Sequence, residues 1–286
     1  MEILGPIRRA WFASRKVRLS VPRDALVLEV GSGDSPYPRS DVLLDLTLSN
    51  HERVGGRTVA DRPLVLGMIE QLPFRDKAFD FVIASHVLEH SADPQGFLGE
   101  LQRVASAGYI ETPSFWAERV QPMHMHRLEV GMEVRGDERK LLIYQKSAPV
   151  PDQVLSSQFS ALLVDRSGFG RLAPTVWVTQ YFWEGEINFE ILNPEMKVEW
   201  QPPPEVTRAG FDDPRPPLRR LFKQVAQKLH RRKEINLLKL LRCVDCNHEH
   251  LDGDVQGGGL SCPNCGRQFV VTDDIPHMHP ERWKGL

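Results

Sequence analysis

Cysteine is missing from the first 242 residues of this 286-residue chain, and all four copies lie in the last 44. No disulfide can therefore tie the body of the chain together. Long apolar runs are missing as well: nothing approaches the ~20 consecutive residues that a membrane-spanning helix needs. The basic residues near the amino terminus (Arg8, Arg9, Arg15, Lys16 and Arg18) are not followed by an apolar core of signal-peptide type. The expectation is a cytoplasmic protein. A strong net charge is also lacking, but the total of −2 hides a segregation. Residues 1–23 carry +5, residues 215–242 carry +9, residues 243–286 carry −4, and the stretch 24–214 carries −12. An acidic body beside a basic segment suits internal docking or an anionic partner. With 41% hydrophobic residues, the chain has room for one large domain and a small second one.

What is present begins with Leu26-Val27-Leu28-Glu29-Val30-Gly31-Ser32-Gly33-Asp34. A short apolar run bounded by turn residues reads as a buried strand of a parallel sheet. The two glycines allow a tight turn and close approach of backbone to a ligand. Alone, Gly-x-Gly is weak, because any strand-to-helix turn uses glycine. A second apolar run, Val42-Leu43-Leu44-Asp45-Leu46, ends in an acid of the kind that accepts hydrogen bonds from ribose hydroxyls. Further strands are expected at 64–66, 79–84 and 107–112. The helix between the last two is expected to start near Ser91 as its cap, with Asp93 and Pro94 in the first turn and Phe97, Leu98, Leu101 and Val104 facing the sheet. Residues 127–146 alternate like a hairpin about Arg135-Gly136-Asp137, and 175–192 read as one or two more strands.

Gln71-Leu72-Pro73-Phe74, a charged turn, Phe79-Asp80-Phe81-Val82 and His86-Val87-Leu88-Glu89-His90 complete a pattern that resembles the class I S-adenosylmethionine-dependent methyltransferases, particularly the type 11 family. The resemblance covers roughly residues 20–115. It implies an α/β fold: a Rossmann-like, mostly parallel sheet with antiparallel C-terminal strands, which 127–146 and 175–192 could supply. It also implies S-adenosylmethionine as cofactor. Glu29, Gly31 and Gly33 would line its amino-acid and sulfonium portion, Asp45 its ribose, the Gly67–Glu70 turn its adenine, and Ser85 and His86 its methionine. Ser35 replaces the family's third loop glycine, and Pro36 and Pro38 follow. Gly31 to Asp45 spans only fourteen residues, against about 20 in dinucleotide folds, so the first helix must be short or displaced. Met68 stands where relatives place an adenine-contacting acid.

For proton removal the weak candidates are His86, His90, His124 and His126, because an imidazole near pKa 6.5 suits base catalysis. His124-Met125-His126 resembles a metal pair only superficially, because alternate residues on a strand also point together for packing, and several methyltransferases need no base. Between residues 113 and 185 lies the expected substrate-facing region. The acceptor is expected to be oxygen or nitrogen on a small molecule, glycan or lipid-linked intermediate, since no Asn-Pro-Pro-Tyr type run follows the fourth strand. The competing reading is a non-catalytic methyltransferase-like module that binds RNA or a protein partner.

Cys243-x2-Cys246 and Cys262-x2-Cys265, fifteen residues apart, fit a four-thiolate structural zinc site. This segment resembles the small zinc-ribbon activator of tRNA, rRNA and release-factor methyltransferases, which is usually a separate chain. The expected organisation is a basic helix at 1–23, a methyltransferase domain at 24–200, a proline-rich linker at 201–217, a basic amphipathic helix at 218–241 and a β-rich zinc ribbon at 242–280. The basic helix could contact RNA or protein, or pack on the acidic body.

Overall fold

The computed structural model describes residues 16–17, 19–48, 58–120, 122–123, 125–148, 174–199 and 235–282. The expected linker at 201–217 and residues 218–234 of the expected basic helix lie outside them, as does His124.

Six strands form the main sheet: β1 (Val27–Val30), β2 (Val42–Asp45), β3 (Leu64–Leu66), β4 (Phe79–Ser85), β5 (Ala105–Pro113) and β8 (Val178–Glu184), in the order β3-β2-β1-β4-β5-β8. The first five are parallel, and β8 runs antiparallel along β5 from Ala107↔Glu184 to Pro113↔Val178. All residues of β1, β2 and β3 are buried, which is why these strands read as continuous apolar runs. Strand order reverses between β1 and β4, the topological position at which open α/β sheets bind their ligands.

α1 (Pro94–Val104) crosses from β4 to β5 and buries Phe97, Leu98, Leu101 and Val104. Its cap is Asp93, not Ser91: the Asp93 side chain accepts from the Gly96 amide at 2.9 Å, and Pro94 takes the first helical position. Ser91 Oγ instead accepts from the Asp93 amide and donates to Glu70 Oε1 at 2.8 Å. Between β1 and β2 there is no helix; residues 31–41 pass through turns only. Nor is the described end of the expected N-terminal helix helical. Val17, Leu19 and Val21 follow each other at alternate positions and pack on Val27, Tyr37, Ile83 and Tyr109, the alternation of extended chain.

The hairpin β6 (Leu128–Arg135) and β7 (Glu138–Gln145) turns at Gly136, as expected. It does not close the main sheet. β8 already occupies the free edge of β5, so the hairpin pairs with β9 (Phe189–Ile191) in a separate three-stranded sheet. A short helix, α2 (Phe115–Val120), links β5 to this layer.

The carboxyl-terminal segment opens with a 3₁₀ turn (Leu237–Lys239) where the end of the basic helix was expected. β10 (Asp252–Asp254), β11 (Gly259–Ser261), β12 (Gln268–Thr272) and β13 (Ile275–Pro276) then form an antiparallel ribbon. This ribbon is not set apart from the body. Leu237, Leu241, Val244, Leu251, Leu260, Phe269 and Met278 belong to the same apolar core as Val42, Leu44, Val65 and Phe74. Bridges Leu66↔His277 and Phe74↔Leu241 join the two backbones. The ribbon thus covers part of the sheet that a conventional α/β fold would cover with a helix.

Candidate functional site

The site is built at the carboxyl ends of β1, β2, β4 and β5. Gly31 and Gly33 both lie in the left-handed region (φ 62° and 58°), where a Cβ is strained. A Cβ on Gly31 would also overlap Val87 Cγ2. Asp45, 3% exposed, anchors this loop: Oδ2 accepts from the Gly33 amide at 2.8 Å and Oδ1 from the Leu46 amide at 2.8 Å. The acid of β2 thus holds the glycine loop.

Glu29 projects from β1 into the opposite layer. Its Oε2 accepts from the Tyr37 amide and from Ser40 Oγ, both at 2.7 Å, and so pins the chain that replaces the first helix. Burial raises its carboxyl above the ordinary 4.5 despite the opposing effects of Lys16 and these hydrogen bonds. The expected adenine-side turn begins at Gly67, whose amide donates to Asp45 O. Glu70 turns towards the start of α1, bonded by Ser91, and burial raises its carboxyl as well. The ribbon tail closes the same side, with His279 Nε2 placed 2.8 Å from Leu46 O and Met278 O beside Gly67.

His86 has the unusual backbone of the site, a bulky residue at φ 57°. Its amide donates to Glu111 O at 2.7 Å, and its ring lies between two carboxylates, with Nδ1 3.3 Å from Glu89 Oε1 and Nε2 3.5 Å from Glu111 Oε1. Burial alone would lower its pKa, but Glu89 and Glu111 outweigh that and raise it. Ser85 Oγ donates to Glu111 Oε1 at 3.1 Å, Gln180 Nε2 to Oε2 at 3.0 Å, and Tyr109 OH also donates to Oε2. Sequence reasoning missed Glu111, Tyr109 and Gln180. The last comes from β8, and no local pattern marks a residue paired across 69 positions.

The other histidines behave differently. His90 packs edge-on against His126, with ring centroids 4.8 Å apart, and burial together with His126 lowers its pKa to about 3. His126 lies ahead of β6 rather than on a strand, and its Nδ1 is 2.6 Å from Glu118 Oε2. The structure therefore places Ser85 and His86 at the carboxyl end of β4, next to the strand that the glycine loop follows, and groups His90 with His126.

The four cysteine sulfurs lie within 4.8 Å of one another, with 3.7 Å between Cys243 and Cys265 and 3.5 Å between Cys246 and Cys262. Such separations match the ~3.8 Å edge of a tetrahedron of thiolates with ~2.3 Å metal bonds. They lie far outside the ~2.05 Å of a disulfide. The donor set fits zinc. His248, His250, His277 and His279 are not part of this cluster.

Residues 36–110 match the family model of a methyltransferase domain, and residues 235–274 match that of Trm112p-like protein. No curated protein matches the chain. Among solved structures, a SAM-dependent methyltransferase from Thermotoga maritima is 21% identical over 35% of this chain and 48% of its own, with a TM-score of 0.27. One from Mesorhizobium loti is 14% identical over 42% of this chain and 58% of its own, at 0.28. The complex between the Haloferax volcanii Trm112 methyltransferase activator and a protein assigned as a methyltransferase is 14% identical over 65% of this chain and 90% of that one, at 0.33. This chain thus spans about half the length of the first two. Scores this low carry no argument about function, and the assignment rests on the family matches. No helix among the described residues is long and apolar enough to cross a membrane. The chain carries a methyltransferase domain followed, in the same polypeptide, by a Trm112p-like domain.

Proposed function

We propose that the chain is an S-adenosylmethionine-dependent methyltransferase acting on an oxygen or nitrogen of a small molecule, glycan or lipid-linked intermediate, with zinc held by Cys243, Cys246, Cys262 and Cys265. The observation that carries this reading is the grouping at the carboxyl ends of neighbouring strands β1 and β4. Two left-handed glycines, the second held by the Asp45 carboxylate, follow β1, and a histidine set between two acids follows β4.

The cofactor, when bound, supplies a methyl group already activated on a sulfonium sulfur. The chain's task is to bind, to align the acceptor and to exclude water. Backbone amides of the Gly31–Gly33 turn take the amino-acid portion, with Glu29 acting indirectly by pinning the loop at Tyr37 and Ser40. Asp45 accepts from ribose hydroxyls, and Ser85 and His86 lie under the methionine end. Glu89 and Glu111 face the two ring nitrogens of His86, orient the ring and favour its imidazolium form, so that it presents a positive charge rather than a free base. His90 is held neutral and packed against His126, a poor position for a base. The zinc ribbon buttresses β3 and the cofactor's adenine side.

Asp45→Ala separates this reading from its rival, a non-catalytic module that recruits RNA or protein. Calorimetry should show loss of S-adenosylhomocysteine binding in the variant and tight binding in the parent. Equal, absent binding in both, with RNA or protein association unchanged, would support the rival instead. The turn-only segment 31–41 and Ser35 in the third glycine position favour that rival to a degree.

A further inference from the structure

Behind His86 stands a second set of metal-type donors. Glu89, His90 and His126 each offer a ligand atom, and these lie within 4.8 Å of one another. They come from two places that the topology joins: the 3₁₀ turn Leu88–His90 after β4, and the segment ahead of β6. Arg127 N donates to Glu89 O at 2.7 Å and fixes the two segments to each other.

Three features distinguish this group from ordinary packing. Glu89 is 1% exposed, yet neither carboxylate oxygen accepts a hydrogen bond that meets normal geometry; its ion-pair contact is His86 Nδ1 at 3.3 Å. A buried carboxylate whose partner is one long contact to a ring nitrogen is costly, and a cation on its other oxygen satisfies it. Next, Glu118 Oε2 holds His126 Nδ1 at 2.6 Å, which leaves Nε2 as the ring nitrogen with a free valence for a ligand. Metal-bound histidines are oriented by this kind of carboxylate contact. Glu118 is itself fixed by Lys146 Nζ at 2.5 Å and the Met123 amide at 3.0 Å, so its orientation is set by the fold. Finally, His90 and His126 meet edge-on with ring centroids 4.8 Å apart, which brings nitrogens of both rings to the same place as the Glu89 carboxylate.

We infer that Glu89, His90 and His126 form a binding site for a first-row divalent transition cation, separate from the four-cysteine site. Two imidazoles and one carboxylate select manganese, iron, cobalt, nickel or zinc over magnesium and calcium, which take oxygen donors. Closing the donors onto ~2.0–2.2 Å bonds needs only side-chain adjustment. Three protein donors leave a coordination position for water or another oxygen ligand. The inference does not depend on the acceptor proposed above.

Cobalt titration of the full-length, zinc-loaded protein tests it, followed by d–d absorption and calorimetry. One equivalent of Co2+ should bind with a micromolar or lower Kd, and with no thiolate-to-cobalt charge-transfer band, which would report displacement at the cysteines. His126→Gln should weaken binding by more than 100-fold, and Glu118→Gln by roughly 10–100-fold, the usual effect of losing an orienting carboxylate. The parent protein alone decides the matter should either variant fail to fold. No cobalt uptake beyond the cysteine site at millimolar metal would overturn the inference, and so would unchanged affinity in a folded His126→Gln.

Discussion

At the scale of single residues, the chemistry turns on a few backbone and carboxylate positions. Gly31→Ala places a Cβ in the left-handed region and against Val87, so a stability loss of at least ~1 kcal/mol is expected, with loss of cofactor binding. Thermal unfolding with and without S-adenosylhomocysteine reads both effects. Asp45→Ala removes the anchor of Gly33 as well as the proposed ribose acceptor, and a 100-fold loss of affinity, about 2.7 kcal/mol, is expected. Glu29 makes a different prediction. Its folded pKa lies above the ordinary value of 4.5 because of burial, so the ionised carboxylate destabilises the fold. The penalty is full above the raised pKa and fades as pH falls from there towards 4.5. Glu29→Gln keeps one oxygen to accept from both Tyr37 and Ser40 while removing the charge. Its stability should therefore vary less with pH across that window than the parent's; an unchanged pH profile in chemical denaturation would contradict the assignment.

At the scale of elements, the strands were the most legible part. Val27–Val30, Val42–Asp45 and Leu64–Leu66 are buried on both faces, and burial of that kind writes itself as uninterrupted apolar residues. α1 was legible for the same reason, through its apolar stripe, although its cap lies two residues further on. Asp93→Ala should cost about 1 kcal/mol, measured by thermal unfolding, because the Gly96 amide loses its acceptor. A similar cost at Ser91 but not at Asp93 would reverse that assignment. What could not be read was which edge each element takes. The hairpin at 128–145 carries the alternation of a sheet-closing pair, yet β8 takes the edge of β5, and nothing local to either segment records that competition. The same limit hid Glu111 with its partners and Glu118 with His126, since their contacts cross from one element to another. The turn after β1 and the acid that ends β2 could be located from sequence because each is confined to a short stretch of chain.

At the scale of the whole molecule, the ribbon is the feature with most consequence. Spacing revealed its cysteines, but no periodicity revealed that Leu241, Val244, Leu260, Phe269 and Met278 complete the core above β2 and β3. Gln71 Nε2 bonds Val244 O, and Arg75 Nε bonds Leu241 O at 3.1 Å, so the junction is polar as well as apolar. Loss of zinc should for this reason lower the melting temperature of the entire chain in one cooperative transition. Two separate transitions on chelation, with the body unaffected, would show that the ribbon folds independently. Cofactor affinity should fall with the zinc as well, because His279 and Met278 stand against Leu46 and Gly67. The central claim remains the proposed cofactor site at the ends of β1 and β4, and calorimetric titration of the zinc-loaded, full-length protein with S-adenosylhomocysteine tests it most directly. One-to-one binding with a Kd in the micromolar range is the expected result, and no heat of binding at millimolar ligand would contradict it.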